Sequence, residues 1–153
     1  MKWSSNMDHI FLFTIGFTKK NAEKFFSILE SNKVKTIIDV RLNNTSQLAA
    51  FTKQDDLRFF LHRILNCSYV HLAEFAPTED ILSSYKNKKI SWNDYERMYL
   101  ELLEKRKPEN KLSFSDLDHA CLLCSEPLPE KCHRRLAAEY LKKKIPGIVV
   151  RHL

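Results

Sequence analysis

The stretch HIFLFTIGFTKKNAEKFFSILESNKVKTIIDVR (residues 9–41) decides the fold class. Its apolar runs at 9–17 and 34–41 predict two buried strands, and the large apolar residues of 21–32 share one face, which predicts an amphipathic helix. A strand, a crossover helix and a strand at this spacing form a right-handed parallel unit. The sequence therefore predicts a domain built around a parallel sheet.

The same alternation of strands and helices continues to the end of the chain. The remaining predicted elements are a helix at 55–65, a strand with its exit loop at 68–75, helices at 78–87 and 92–106, a strand at 118–124, a helix at 129–144 and a strand at 147–153. The two consecutive helices form an insertion before the fourth strand. We therefore expect an α/β fold, with residues 1–153 in a single three-layer domain around a mostly parallel sheet of about five strands.

Composition limits the class of protein further. The chain has 153 residues, of which 44% are hydrophobic, so it can bury a core without a metal or disulfides. Its two glycines exclude a glycine-rich phosphate loop. The first apolar stretch covers only about eight residues and no small-residue cleavage site follows it, so it predicts a strand and neither a signal peptide nor a membrane segment. We expect a cytoplasmic protein whose four cysteines are thiols, ligands or core residues.

The charge of the chain favours anionic partners. The formal net charge is +6 and the isoelectric point is about 9.1. Such a balance favours small phosphorylated or nucleotide-type anions, or nucleic acid. The basic residues are spread over separate segments at 86–89, 104–111 and 141–144, however, and runs of this kind are typical of solvated helix ends.

A parallel sheet also predicts where a site lies, because open sheets of this class bind ligands beyond the carboxyl ends of their strands. Polar residues follow four of the predicted strands at that edge, and we expect them to converge. They are Thr14, Gly16, Asp39, Arg41, His71, Glu74, Cys124, Ser125 and Glu126. Each also fits a structural role; Asp39 and Arg41, for example, could form an ion pair.

The segment CLLCSEPLPEKCHRR (121–135) contains three of the four cysteines. Cys121 and Cys124 have the spacing of a zinc knuckle, but in a regular strand residues three apart point to opposite faces. They cannot both chelate one metal, so Cys121 is expected to be a core residue. Cys67 stands alone, and no second knuckle is present.

Cys124 and Cys132 form a better pair. Cys124 ends a predicted strand and Cys132 lies in the first turn of the next predicted helix, so a turn containing two prolines could bring their sulfurs together. The helix N-terminus, with His133 and Arg134 beside it, predicts a lowered pKa for Cys132. Arg134 is a candidate anion ligand there, whereas Arg135 falls on the polar face of the helix.

The motifs FTIGF, IIDVR, YVHLAEF and LLCSEPLPEKCHR resemble, in order and spacing, the bacterial and archaeal family catalogued as domain of unknown function 488. The resemblance extends from about Phe13 to Leu153. It implies a small cytoplasmic α/β protein with an enzyme-like signature that has no assigned reaction. Its motifs fall on Gly16, Asp39, Arg41, His71, Glu74, Cys124, Glu126, Cys132, His133 and Arg134. This chain departs from the commoner pattern at NNTSQ (43–47), which offers amide and hydroxyl groups.

Three functions remain open from the sequence. The favoured one is an enzyme, or enzyme-like binder, of a small phosphorylated or nucleotide-type anion. In this hypothesis Arg41 and Arg134 bind the anion, with Gly16, His71 and Glu74 at the same edge. Asp39 or Glu126 serves as acid or base, Cys124 or Cys132 is the nucleophile or activated thiol, and His133 belongs to the same catalytic set. The alternatives are a nucleic-acid-associated regulatory module that uses the basic surface helices, and a metal site.

The metal hypothesis uses Cys124, Cys132 and His133, with Glu126 or His71 as a fourth ligand. If Cys132 and His133 were both helical, their side chains would point about 100° apart, which would make joint chelation awkward. The sequence leaves the cofactor, the substrate and the oligomeric state open.

Overall fold

The computed structural model describes residues 9–45 and 49–153. Within them the chain forms a five-stranded sheet of order β3-β2-β4-β1-β5, and every neighbouring pair is parallel. The strands are β1 (Ile10–Gly16), β2 (Thr36–Asp39), β3 (Ser68–His71), β4 (Ala120–Cys124) and β5 (Ile148–His152). The predicted α/β fold and its parallel sheet are therefore confirmed.

The helices occupy the predicted places, with shifted ends. They are α1 (Ala22–Ser31), α2 (Gln54–Leu65), α3 (Glu79–Lys86), α4 (Trp92–Arg106), α5 (Phe114–Leu117) and α6 (His133–Lys144). Helices α3 and α4 form the predicted insertion before β4. The sequence did not predict the shortest elements, because they carry no periodic signal. These are the one-turn helix α5 and the 3₁₀ turns at Ala50–Thr52, Ala73–Phe75 and Pro108–Lys111.

Two apolar layers cover the two faces of the sheet. On one face, residues of α1 and α2 pack with Cys121 and Leu123. On the other face, residues of α4 and α6 pack with Leu122 and Cys124. Alternate residues of β4 thus enter opposite layers. Cys121 is a fully buried core residue, as predicted, and it faces away from Cys124.

Local sequence signals explain several helix ends. The Asn21 side chain accepts a hydrogen bond from the Lys24 amide and caps α1, and Ser91 and Asp94 form a capping box at the start of α4. The prediction for α6 was wrong by one turn. Residues 125–131 are irregular, and Cys132 is an extended N-cap residue (φ −137°, ψ 136°), which brings its thiol beside Cys124.

None of the described helices combines the length and the apolar character needed to cross a bilayer. Ser46 and Gln47, the end of the NNTSQ segment, lie outside the described residues, so the predicted polar contribution of that segment stays a prediction.

Candidate active site

The carboxyl ends of the central strands meet at one edge of the sheet. Gly16 lies opposite Cys124 in the β1–β4 register, and Asp39 lies opposite both Leu123 and His71. The helix α6 begins just beyond this edge. The expected convergence is therefore present, but its members differ in what they contact.

Asp39 and Arg41 form a buried ion pair. Arg41 donates from Nε and Nη2 to the two carboxylate oxygens of Asp39, each at 2.8 Å, and also from Nη2 to the Thr52 carbonyl at 2.7 Å. The Tyr69 hydroxyl donates to Asp39 Oδ2 at 2.5 Å. Burial, followed by that hydrogen bond, raises the pKa of Tyr69, so the phenol stays protonated at neutral pH. This geometry matches the structural alternative for Asp39 and Arg41, because each charge has a partner.

His71 lies beside the ion pair, whereas Glu74 does not contact it among the described contacts. His71 Nε2 is 2.9 Å from the Arg41 carbonyl, so it ties β3 to the end of β2. The Glu74 carboxylate pairs with Lys111 near the C-terminal end of α4; the Lys111 side chain is exposed and that of Glu74 is partly exposed. Among the described contacts, neither side chain reaches the Cys124 cluster.

Cys124 and His133 form a buried pair. His133 Nε2 lies 2.7 Å from the Val40 carbonyl, and since a carbonyl only accepts, Nε2 carries a proton. The other ring nitrogen, Nδ1, then faces Cys124 Sγ at 3.6 Å. In this tautomer Nδ1 either accepts the thiol proton or, once protonated, donates to a thiolate. The Val40 carbonyl therefore orients the imidazole toward the sulfur.

The groups around Cys124 favour its thiolate form. A hydrogen bond from the Cys132 thiol, together with the charge of His133, holds the pKa of Cys124 well below its ordinary value despite burial. Burial acts to lower the pKa of His133, but the facing thiolate and the Val40 carbonyl outweigh it and raise that pKa. The directions of these two pKa shifts favour a thiolate on Cys124 paired with an imidazolium on His133, an arrangement that activates cysteine nucleophiles.

The predicted lowering of the Cys132 pKa is wrong. The hydrogen bond that Cys132 donates to Cys124, followed by burial, raises the pKa of Cys132. The sequence argument placed Cys132 within the first helical turn, where the helix dipole would favour its thiolate. In the structure it is the N-cap, and the negative charge beside it belongs to Cys124.

Arg134 is fully buried at the start of α6. Its Nη1 donates to the Glu126 carbonyl at 2.5 Å and to Cys132 Sγ at 3.5 Å, and its Nε donates to Thr14 Oγ1 at 3.3 Å. Its Nη2 is also buried and has no hydrogen-bond partner among the residues that the structure describes. A buried guanidinium without a carboxylate partner is expected to favour an anion beside it.

Glu126 contributes its backbone and not its carboxylate to these contacts. Its carbonyl binds Arg134, whereas its side chain is exposed. Gly16 explains how the Glu126 backbone comes so close to β1. A Cβ atom on Gly16 would lie 1.6 Å from the Glu126 oxygen and 2.9 Å from Arg134 Nη1. Only glycine leaves room for that approach, so the role of Gly16 in the structure is steric.

Sequence reasoning missed two residues near Arg134. The Lys20 ammonium donates to the Gly16 carbonyl at 2.8 Å, and burial, followed by the charge of Arg134, lowers its pKa. His152 Nδ1 lies 2.7 Å from the Thr14 hydroxyl, and burial with the same Arg134 charge lowers the pKa of His152. No motif marks either residue: Lys20 lies in the loop between β1 and α1, and His152 lies in β5, and both are far in sequence from Arg134.

The helical insertion supplies the wall of the site. The Tyr99 ring lies edge-on to the His133 ring, with centroids 5.6 Å apart, and its hydroxyl donates to the Phe75 carbonyl at 2.6 Å. Burial raises the pKa of Tyr99 well above its ordinary value, so it remains a neutral wall. Helical periodicity does not show that Tyr99 of α4 faces His133 of α6, because only long-range packing brings the two residues together.

The structure brings the three proposed metal ligands together. One ligand atom from each of Cys124, Cys132 and His133 lies within 4.8 Å of the others. The objection that adjacent Cys132 and His133 point apart is removed, because Cys132 is extended and precedes the helix. Two sulfurs and an imidazole would suit a thiophilic ion such as zinc. Of the predicted fourth ligands, the Glu126 side chain is exposed and His71 bonds the Arg41 carbonyl.

The loop 125–131 covers the sulfurs. Cys124 and Cys132 are 4% and 2% exposed, whereas Glu126, Leu128, Glu130 and Lys131 of the loop are exposed. A separate apolar cavity of about 380 Å³ lies between α1 and α2, on the other side of the sheet, and no residue of the cluster lines it. That cavity is therefore separate from the cysteine–histidine cluster.

These features define an α/β protein with a buried cysteine–histidine pair and an arginine at the carboxyl edge of a parallel sheet. The chain belongs to the family described as Domain of unknown function DUF488, whose model matches residues 21–141. The matched range contains the ion pair of Asp39 and Arg41 and the whole cluster of Cys124, Cys132, His133 and Arg134. The chain has no match among curated proteins or solved structures.

Proposed function

We propose that the protein is a thiol-dependent enzyme, or enzyme-like binder, that acts on a small phosphorylated or nucleotide-type anion. Cys124 is the nucleophile and His133 its acid–base partner. Arg134 and Lys20 hold the anionic group. Relative to the prediction from sequence, Lys20 replaces Arg41 as the second cation, because Asp39 already binds Arg41.

One observation carries this proposal: the buried Arg134 guanidinium, whose Nη2 has no partner among the described residues. A cation removed from water is costly unless an anion or several acceptors compensate for it. The described chain provides Arg134 with three hydrogen-bond acceptors: a carbonyl, a hydroxyl and the Cys132 sulfur. None of these acceptors is a carboxylate. An oxyanion would supply the charge and the acceptor that remain unmatched.

The charges around the cluster support the same conclusion. His133 faces Cys124, and Arg134 and Lys20 add two more cationic groups at the same edge of the sheet. Glu126 is exposed, and its carboxylate makes no ion pair with these groups among the described contacts. A bound phosphate would restore the balance of charge, and the amides at the start of α6 would add donors to it.

The chemistry follows from the pair of Cys124 and His133. The Cys124 thiolate would form a bond to the electrophilic atom of the substrate, and the bond from that atom to the leaving group would break. His133 Nδ1, protonated in the thiolate form, would give its proton to the departing group. Tyr99 and the loop 125–131 would limit the access of water to the adduct.

Phosphate is expected to stabilise the folded protein through Arg134. At ten times its Kd, a ligand that binds only the native state adds about 1.4 kcal/mol, which raises the Tm of a domain of this size by about 3–6 °C. Differential scanning calorimetry in phosphate, against chloride at equal ionic strength, measures the rise. We expect Arg134→Met to lose it and Lys20→Met to reduce it.

Arg135→Met is the matched control for Arg134→Met in the phosphate experiment. Arg135 is adjacent, but it binds Glu96 and Glu139 on the outer face of α6. Phosphate also stabilises proteins non-specifically by exclusion from their surfaces, and that contribution should be equal in all variants. Since Lys20 is only partly buried, Lys20→Met is expected to fold even if Arg134→Met does not. An equal rise in wild type, Lys20→Met and Arg135→Met would contradict the proposed anion site.

A metal centre is the second candidate, favoured by the three ligand atoms within 4.8 Å of one another. Cys124, Cys132 and His133 would fill three positions of a tetrahedral zinc site and leave the fourth for water or substrate. The Val40 carbonyl would then orient His133 as outer-sphere carbonyls do in zinc proteins. Close to one equivalent of zinc by elemental analysis, lost in Cys132→Ser, would favour this function over a free thiolate.

A further inference from the structure

We propose that Cys132 is a resolving thiol, and that hydrogen peroxide converts Cys124 and Cys132 reversibly into a disulfide that switches the site off. This proposal goes beyond the proposed function, because it requires only that the two thiols lie side by side. A protein that bound no anion could still form the bond.

The fold brings Cys124 and Cys132 together and places the other two cysteines on the opposite face of the sheet. The sulfurs of Cys124 and Cys132 lie within 4.8 Å of each other. Cys121 enters the opposite layer of the sheet, where Cys67 also lies. All four cysteines are free and buried. The segment that joins Cys124 to Cys132 is irregular and contains two prolines, so it can adjust to a bond without unwinding a helix or a strand.

A proton acceptor distinguishes Cys124 from Cys132. His133 Nδ1 lies 3.6 Å from Cys124 Sγ and can take its proton, whereas Arg134 Nη1, which is hydrogen-bonded to Cys132 Sγ, has no acceptor atom to offer. A small oxidant needs only a local opening of the loop 125–131, whose bonds to the rest of the chain include Thr18 N–H to the Ser125 carbonyl and Arg134 to the Glu126 carbonyl. Loops held by few contacts open at low free energy.

The reaction balances in two steps. The Cys124 thiolate attacks one oxygen of hydrogen peroxide, the O–O bond breaks, and the leaving hydroxide takes a proton from His133 to become water. Cys124 is then a sulfenic acid. Cys132 attacks that sulfur, the S–O bond breaks, and a second water leaves with the proton of the Cys132 thiol. Both sulfurs are oxidised, and the peroxide is reduced to two molecules of water.

The disulfide would remove three features of the site at once. Cys124 Sγ would be bonded to Cys132 and could no longer act as a nucleophile, His133 Nδ1 would no longer face a free thiol, and Arg134 Nη1 would lose its contact with a free Cys132 thiol. Reduction by a dithiol would restore all three. In the absence of Cys132, the Cys124 sulfenic acid would go on to sulfinic acid, which dithiols do not reverse.

The test treats the full chain with a few equivalents of hydrogen peroxide and counts thiols under denaturing conditions with Ellman's reagent. We expect the count in the wild type to fall from four to two and to return to four with dithiothreitol. Trypsin cleaves after Lys111, Lys131 and Arg134, so mass spectrometry should find the peptide 112–131 joined to the peptide 132–134. Because 112–131 also contains Cys121, the Cys121→Ser variant should retain the link.

Two further variants complete the test. Cys132→Ser should gain two oxygen atoms on Cys124 and fail to recover with dithiothreitol, whereas Cys67→Ser should behave as the wild type does. The proposal would be overturned by a link that is lost in Cys121→Ser, by dimers joined through Cys67, by irreversible oxidation of the wild type, or by a thiol count that stays at four. Phosphate stabilisation is measured separately, so failure here leaves the proposed anion site standing.

Discussion

Replacement of Arg41 by methionine is expected to destabilise the fold more than any other single change considered for this chain. Asp39 is fully buried, and Arg41 holds both of its carboxylate oxygens. Removing one partner of a buried ion pair leaves an uncompensated charge, which typically costs about 3–5 kcal/mol. Chemical denaturation with urea should show a loss of that size in the free energy of unfolding.

Two variants make that result specific. The double variant Asp39→Asn/Arg41→Met should lose less than Arg41→Met alone, because it removes the buried charge together with its partner. Arg63→Met removes an exposed arginine from α2 and should change stability by less than about 0.5 kcal/mol. A loss below about 1 kcal/mol for Arg41→Met would show that the ion pair does not hold the end of β2 in place.

The second large effect is on the pH dependence of alkylation at Cys124. A model thiol with a pKa near 8.5 loses roughly 200-fold in thiolate, and so in alkylation rate, between pH 9 and pH 6. Because the pKa of Cys124 is lowered, its thiolate should persist as the pH falls. We expect the rate of labelling by iodoacetamide to change less than about 3-fold over the same range.

Mass spectrometry of the labelled protein assigns the rate to a residue. Burial raises the pKa of Cys67 to about 11 and that of Cys121 well above its ordinary value, so both should label slowly throughout. Cys132→Ala removes the thiol that donates to Cys124, so the pH profile of Cys124 labelling in this variant should be steeper than that of the wild type. A wild-type rate that follows a model thiol would contradict the thiolate–imidazolium pair.

Much of the fold could be predicted from the sequence, because the alternation of apolar runs and amphipathic segments is strong from residue 9 to residue 152. The parallel sheet, the insertion and the burial of Cys121 on the face opposite Cys124 all followed from local periodicity. The order of the strands did not, since it depends on which crossover packs on which face. That order is what places Gly16 of β1 beside Cys124 of β4.

The site was predicted only in part, and Cys132 shows why. Its position after two prolines and before a run of good helix formers fits either a first helical turn or an N-cap, and the sequence pattern favoured the first. One turn of difference placed the Cys132 thiol beside Cys124 and removed the objection to joint chelation. Lys20 and Tyr99 were missed for another reason: only long-range packing brings them to Arg134 and His133.

The central claim is that the thiolate and the anion-binding group form one site. The most direct measurement is the rate at which iodoacetamide labels Cys124 at pH 7, with and without phosphate, in the wild type and in Lys20→Met, with Arg135→Met as the matched control. If one site holds both groups, phosphate should slow labelling of the wild type and of Arg135→Met at least several-fold, and should protect Lys20→Met less. Labelling of Cys124 at the same rate with and without saturating phosphate in the wild type would contradict the account.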